Sequence, residues 1–102
     1  MNILNQLFTK VAPLPVGTYH LQTQQDQKPY RLHLRLQKDG SGLLILNAAT
    51  VMQLNPTAAE CAYHYIKGST PQEAAKQLSA RYRVDAKTAL ADFNSFVDRI
   101  ET

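Results

Sequence analysis

The sequence predicts an α+β fold in which an antiparallel meander of three to four short strands precedes three helices. Two periodicities and a set of stop and start signals carry this expectation. Polar and apolar residues alternate between Gly17 and Leu54, whereas beyond Leu54 the apolar residues recur at helical spacing. Each stretch of the second kind opens on a capping residue. Strands grouped first and helices second is the order of an α+β chain, not of a parallel α/β one.

A chain of 102 residues has room for one core. With 44% hydrophobic and 19% charged residues it is too apolar to remain disordered. The single cysteine, Cys61, excludes an internal disulfide and suits a reducing compartment. No apolar run is long enough to span a bilayer, and Asn2, Asn5, Gln6 and Lys10 break up the apolar start too often for a signal peptide. A cytoplasmic protein is expected. Residues 1–55 carry five basic against two acidic residues and residues 56–102 six against six, so the net charge of +3 lies wholly in the first half.

Taken in order, Ile3, Leu4, Leu7, Phe8 and Val11 have helical spacing and end at Pro13 and Pro15. Residues 1–16 are therefore read as an arm with a short amphipathic helix, offering a contact for a homodimer, and residues 17–102 as the domain. Residues 18–23 read as a strand and 24–29 as a polar turn containing Pro29. Residues 30–37 alternate most cleanly: Leu32, Leu34 and Leu36 against Arg31, His33 and Arg35. Asp39-Gly40 marks a hairpin loop. Residues 43–46 are uniformly apolar, as in a central strand; residues 47–49 turn the chain, and Thr50, Val51, Met52, Gln53 and Leu54 form a short last strand.

Asn55-Pro56 is an N-cap followed by proline at the first helical position, and Gly68 is the expected stop. Thr70-Pro71-Gln72-Glu73 is a capping box. Asp85 caps the last helix, whose apolar stripe includes Ala89, Leu90, Phe93, Phe96, Val97 and Ile100.

No nucleophile elbow, zinc-protease helix, phosphate-binding glycine loop or paired-cysteine motif occurs. His20, His33, His64 and Cys61 have no metal-ligand spacing. No catalytic residue, metal or cofactor is expected.

The run Leu54-Asn55-Pro56-Thr57-Ala58-Ala59 closing a strand and opening a helix resembles the PqqD family. So do the elements that follow: a helix ended by Gly68, a Thr-x-x-Glu-opened helix with Ala74, Ala75 and Leu78, then Tyr82, Val84 and Asp85 before the final stripe. The resemblance covers about residues 30–101. It implies a winged helix-turn-helix-like, non-catalytic domain that binds the leader of a ribosomally made precursor peptide. It further implies presentation of that leader to a radical S-adenosylmethionine maturase, as in pyrroloquinoline quinone (PQQ) biosynthesis or a related peptide pathway. The binding mode so implied is addition of the leader as a strand at Thr50, Val51, Met52, Gln53 and Leu54, with Phe93, Phe96, Val97 and Ile100 on the opposite wall. Arg31, His33 and Arg35 form a basic face for an acidic leader or the partner enzyme, or merely a solvated strand face.

The rival reading is a winged-helix DNA-binding protein. Its recognition helix should be basic, yet the last helix sets Lys87 and Arg99 against Asp92, Asp98 and Glu101, which speaks against nucleic acid.

Overall fold

The structure, a computed structural model, describes residues 14–25 and 28–101. The amphipathic helix expected over residues 2–11, and the dimer contact resting on it, lie outside the described residues. Four strands, β1 (Gly17–Gln25), β2 (Lys28–Leu36), β3 (Gly42–Leu46) and β4 (Thr50–Leu54), form one antiparallel sheet in the order β1-β2-β3-β4. Three helices follow, α1 (Pro56–Lys67), α2 (Pro71–Tyr82) and α3 (Ala86–Glu101). The architecture is α+β, as the two periodicities predict.

The first two strands are longer than expected. Pro29 is not in a turn but in β2, opposite Gln24 of β1. The pairing of β2 with β3 begins only at Leu32↔Leu46, so one side of β2 is open at Pro29 and a residue without an amide donor is tolerated there. At the other hairpin, Asn47 and Ala48 both have positive φ (53° and 60°), and the Ala49 amide donates to the Leu46 carbonyl. Two successive left-handed residues give the tight reversal that a right-twisted hairpin requires.

Alternation along the strands separates the two faces of the sheet. Tyr30, Leu32, Leu34 and Leu36 of β2, Leu44 of β3 and Leu54 of β4 are buried on one face. The helices cover that face, with α1 packed against all four strands. The approach is close at Gly42, where an added Cβ would lie 3.0 Å from the Ala59 Cβ and 3.2 Å from Leu34 Cδ1, so a side chain there would force its neighbours to give by a few tenths of an ångström. α3 packs chiefly on α2 and inserts Ala89, Phe93, Phe96 and Ile100 into the core. The Tyr30 hydroxyl donates to the Ile100 carbonyl and ties the end of α3 to β2.

Each helix is capped as its sequence demands. Asn55 Oδ1 accepts from the Ala58 amide at 2.9 Å, Thr70 and Glu73 form the reciprocal capping box, and Asp85 Oδ1 accepts from Thr88 at 2.8 Å. Gly68 closes α1 with φ 78°, a conformation that favours glycine.

Because α1 lies between the sheet and the other helices, even its polar side is buried. Glu60 is fully buried (0% exposed). Its carboxylate accepts from His64 Nε2 at 2.9 Å and from Arg81 Nε of α2 at 2.6 Å. Burial, the largest single influence, pushes the Glu60 carboxyl up; the bonds from His64 and Arg81, with their charges, together outweigh it and hold the group below its ordinary value.

Removing one partner leaves a buried charge poorly compensated. Arg81→Leu is expected to cost about 3 kcal/mol in urea unfolding, and replacing both residues by leucine to recover much of that loss. A double variant that loses as much as the two single changes summed would contradict this account. The pH dependence has a definite sign. Glu60 ionises more easily folded than unfolded, so its contribution is complete above the unfolded value, ~4.3, and is lost as the pH falls through the lower folded value. Glu60→Gln should therefore be less stable than the parent chain at about pH 7, with the difference shrinking at about pH 3. A gap of equal size at both pH values would assign the stability to something other than ionisation.

Candidate functional site

β4 is an end strand of the sheet: it pairs with β3 from Leu43↔Gln53 to Leu46↔Thr50 and with nothing on its other side among the described residues. Its side chains alternate about that edge. Met52 is half-buried and Leu54 buried on the helix-covered face, whereas Val51, 60% exposed, and Gln53 point to the open face. Beyond the β3 ladder, residues 50–54 make no backbone hydrogen bond with any described residue. In an antiparallel ladder the N–H and C=O groups of every second residue turn away from the partner, so this edge displays a row of free donors and acceptors. A shallow depression lined by Ser41, Leu43, Gln53, Leu54 and Asn55 lies at its far end.

The α3 residues expected opposite the edge have unequal access. Phe93, Phe96 and Ile100 belong to the core cluster, and Val97 is half-buried against it. Of the apolar stripe only Val97 and the similarly half-buried Leu90 keep some exposure, and α3 packs chiefly on α2 and α1 and not on β4. The buried three set the position of the helix.

Arg31, His33 and Arg35 lie together, all exposed, on the open face of β2. Sequence reading missed what surrounds them. Register places His20 of β1 directly opposite His33, and the two rings stack at 5.9 Å. On the other side Leu43 and Ile45 of β3 lie opposite Arg35 and His33. Uniform apolarity over residues 43–46 does mark a central strand, but its odd-numbered side chains are half-exposed on the uncovered face. Only the hairpin registers could have revealed this grouping.

Nothing at these places resembles catalytic machinery. Burial first, and then the charges of Glu60 and Asp92, push the Cys61 thiol up to about 12, so it is not a nucleophile. His64 is committed to Glu60. Among the described residues no group of three or more His, Cys, Asp or Glu side chains could hold a metal, and no helix is long and apolar enough to cross a membrane.

The chain has no match among curated proteins or solved structures. Residues 42–102, more than half of the chain, match the family model described as coenzyme PQQ synthesis protein D. The match begins at the first residue of β3 and takes in β4 and all three helices. The chain thus belongs to the PqqD family, accessory proteins of coenzyme PQQ synthesis.

Proposed function

We propose that this chain is a non-catalytic recognition module that binds the leader of a precursor peptide as a fifth strand along β4 and presents it to a radical S-adenosylmethionine maturase. The observation that carries the reading is the unpaired outer side of β4, within the part of the chain that matches the family. An extended leader would satisfy those backbone groups in a sequence-independent way. Its side chains would alternate, one set meeting Met52 and the margin of the helical layer, the other lying beside Val51 on the open face. Apolar leader residues suit both places. Val97 and Leu90 are the apolar α3 side chains that keep some exposure, and Phe93, Phe96 and Ile100 fix the helix that bears them. On this reading the chemistry belongs to the maturase, since the described residues assemble no metal cluster and the Cys61 thiol is buried and held protonated. Incubated with the chain alone, a precursor should keep its mass.

The other edge, β1, is also unpaired among the described residues, but its open-face positions Thr18, His20 and Gln22 are polar and exposed, and it lies outside the family match. No observation favours DNA binding.

The backbone geometry supplies the test. Amides of Val51 and Gln53 point to one side of the strand and that of Met52 to the other. Of Val51→Pro and Met52→Pro, one should break the β3 ladder and lower stability, and the other should keep the fold and lose the leader. In the folded variant, loss of one to two hydrogen bonds corresponds to ~1–3 kcal/mol, about ten- to a hundred-fold in affinity measured by calorimetry with the precursor leader. Val51→Ala, which leaves the backbone intact, should change affinity only about two- to three-fold. Undiminished leader binding by the folded proline variant would remove β4 as the site.

A further inference from the structure

The sheet has a second unoccupied surface. Every described helix lies on one face, and on the other no element covers the sheet among the described residues. The registers arrange that open face in rows: Thr18, Arg35, Leu43 and Gln53; then His20, His33, Ile45 and Val51; then Gln22 and Arg31. It divides into a cationic half on β1 and β2 and an apolar half on β3 and β4. None of these positions is acidic.

Resting on the proposed reading of β4, we infer that this open face is a second binding surface, separate from the leader's edge, and that it docks a carboxylate-rich, partly apolar patch on the folded maturase. Three considerations select this occupant. The first is reach. A leader strand added to β4 would be three strand spacings from β2, ~14 Å, whereas side chains of facing strands meet at ~5 Å and diagonal ones at ~7–8 Å. Acidic side chains of an augmenting leader therefore fall short of Arg31 and Arg35, and those arginines serve something that lies across the sheet. The second is complementarity. Arginine forks pair with carboxylates in a bidentate manner, and Leu43 and Ile45 beside them call for apolar contacts. A nucleic-acid backbone would match the two arginines and leave the apolar half facing phosphate. The same face of a second copy of this chain has no carboxylate to offer the arginines. The third is location. Arg31, His33, Arg35 and His20 all lie on strands outside the family match, which starts at Gly42. The cationic half thus lies outside the matched part that bears the leader edge.

The test uses the full chain with the precursor leader and the maturase from its own source. Arg31→Glu/Arg35→Glu changes two exposed side chains, and circular dichroism checks that the fold is kept. Affinity for the maturase should fall about ten-fold or more at ~50 mM salt, while affinity for the leader stays within about two-fold. Binding of the parent chain to the maturase should weaken as salt is raised to ~500 mM. The neutral pair Arg31→Gln/Arg35→Gln should give an intermediate loss, which an unfolding artefact would not grade by charge. The folded proline variant at β4 should show the reverse pattern, losing the leader and keeping the maturase. Unchanged maturase binding by the glutamate variant, or equal loss of leader and maturase, would overturn the second surface while leaving the β4 reading standing. A duplex DNA gel shift given by the parent and lost in the glutamate variant would assign the face to nucleic acid and overturn the inference. A parent chain that binds no leader would instead bring down the β4 reading, and this inference with it.

Discussion

The fold depends on one helix touching everything else. α1 leaves β4 through Asn55 alone, since β4 ends at Leu54 and the helix starts at Pro56. With so short a link, the Asn55 cap and the fixed φ of Pro56 decide the direction in which the helix departs. It crosses all four strands, closely enough that a side chain at Gly42 would force its neighbours to give. α2 and α3 then close over its far side. This placement puts β4 at the end of the sheet: the chain passes from β4 directly into the helical layer, and no described residue beyond Leu54 lies in a strand. The free edge is thus a consequence of where the strand-to-helix junction lies.

The same constraint explains the buried charge. A helix set between a sheet and two helices keeps little surface for solvent, and Ala59, Glu60, Cys61, Ala62 and His64 are all buried. Burying a carboxylate is costly unless it is paired and fully hydrogen-bonded. His64 one turn later and Arg81 from α2 meet both oxygens of Glu60, and among the described residues no buried side-chain polar atom is left unsatisfied. A leucine at position 60 could fill the space with less desolvation. The ionic version also fixes how α2 seats against α1, because a guanidinium–carboxylate bond tolerates far less sliding than an apolar contact.

How much of this was legible follows from how local each signal is. Helix starts at Asn55, Thr70 and Asp85, and the alternation around Leu32, Leu34 and Leu36, depend on neighbours within one turn or one strand, and they read correctly. Pro29 misled because proline excludes a strand only where both sides are paired, and pairing is a property of the sheet. Ala48 gave no sign of its left-handed conformation, which the adjoining Asn47 and the hairpin impose. Glu60 reads as a surface residue by type; its burial depends on three elements distant in sequence. At the candidate site, the identity of the edge strand came from resemblance to a family, whereas the cationic and apolar rows of the open face required the registers between strands. His20 and His33 are thirteen positions apart in sequence and stacked in space.

The length of β4 sets what the proposed edge can do. Five residues turn only two or three N–H and C=O pairs outward. At ~1 kcal/mol net for each hydrogen bond, and with the entropy of ordering an extended peptide against it, backbone pairing alone supports weak binding. A longer edge would bind more tightly but would also pair with other chains indiscriminately, the hazard that short edges avoid. Selectivity at β4 has to come from side chains, Met52 beside the helical layer and Val51 on the open face. Such a balance suits a module that hands its peptide on, because whatever binds more tightly than a few hydrogen bonds and two or three apolar contacts can take it away. On the inference that the open face holds the maturase through Arg31 and Arg35, the leader edge would need only to orient its peptide and would not have to hold the assembly together.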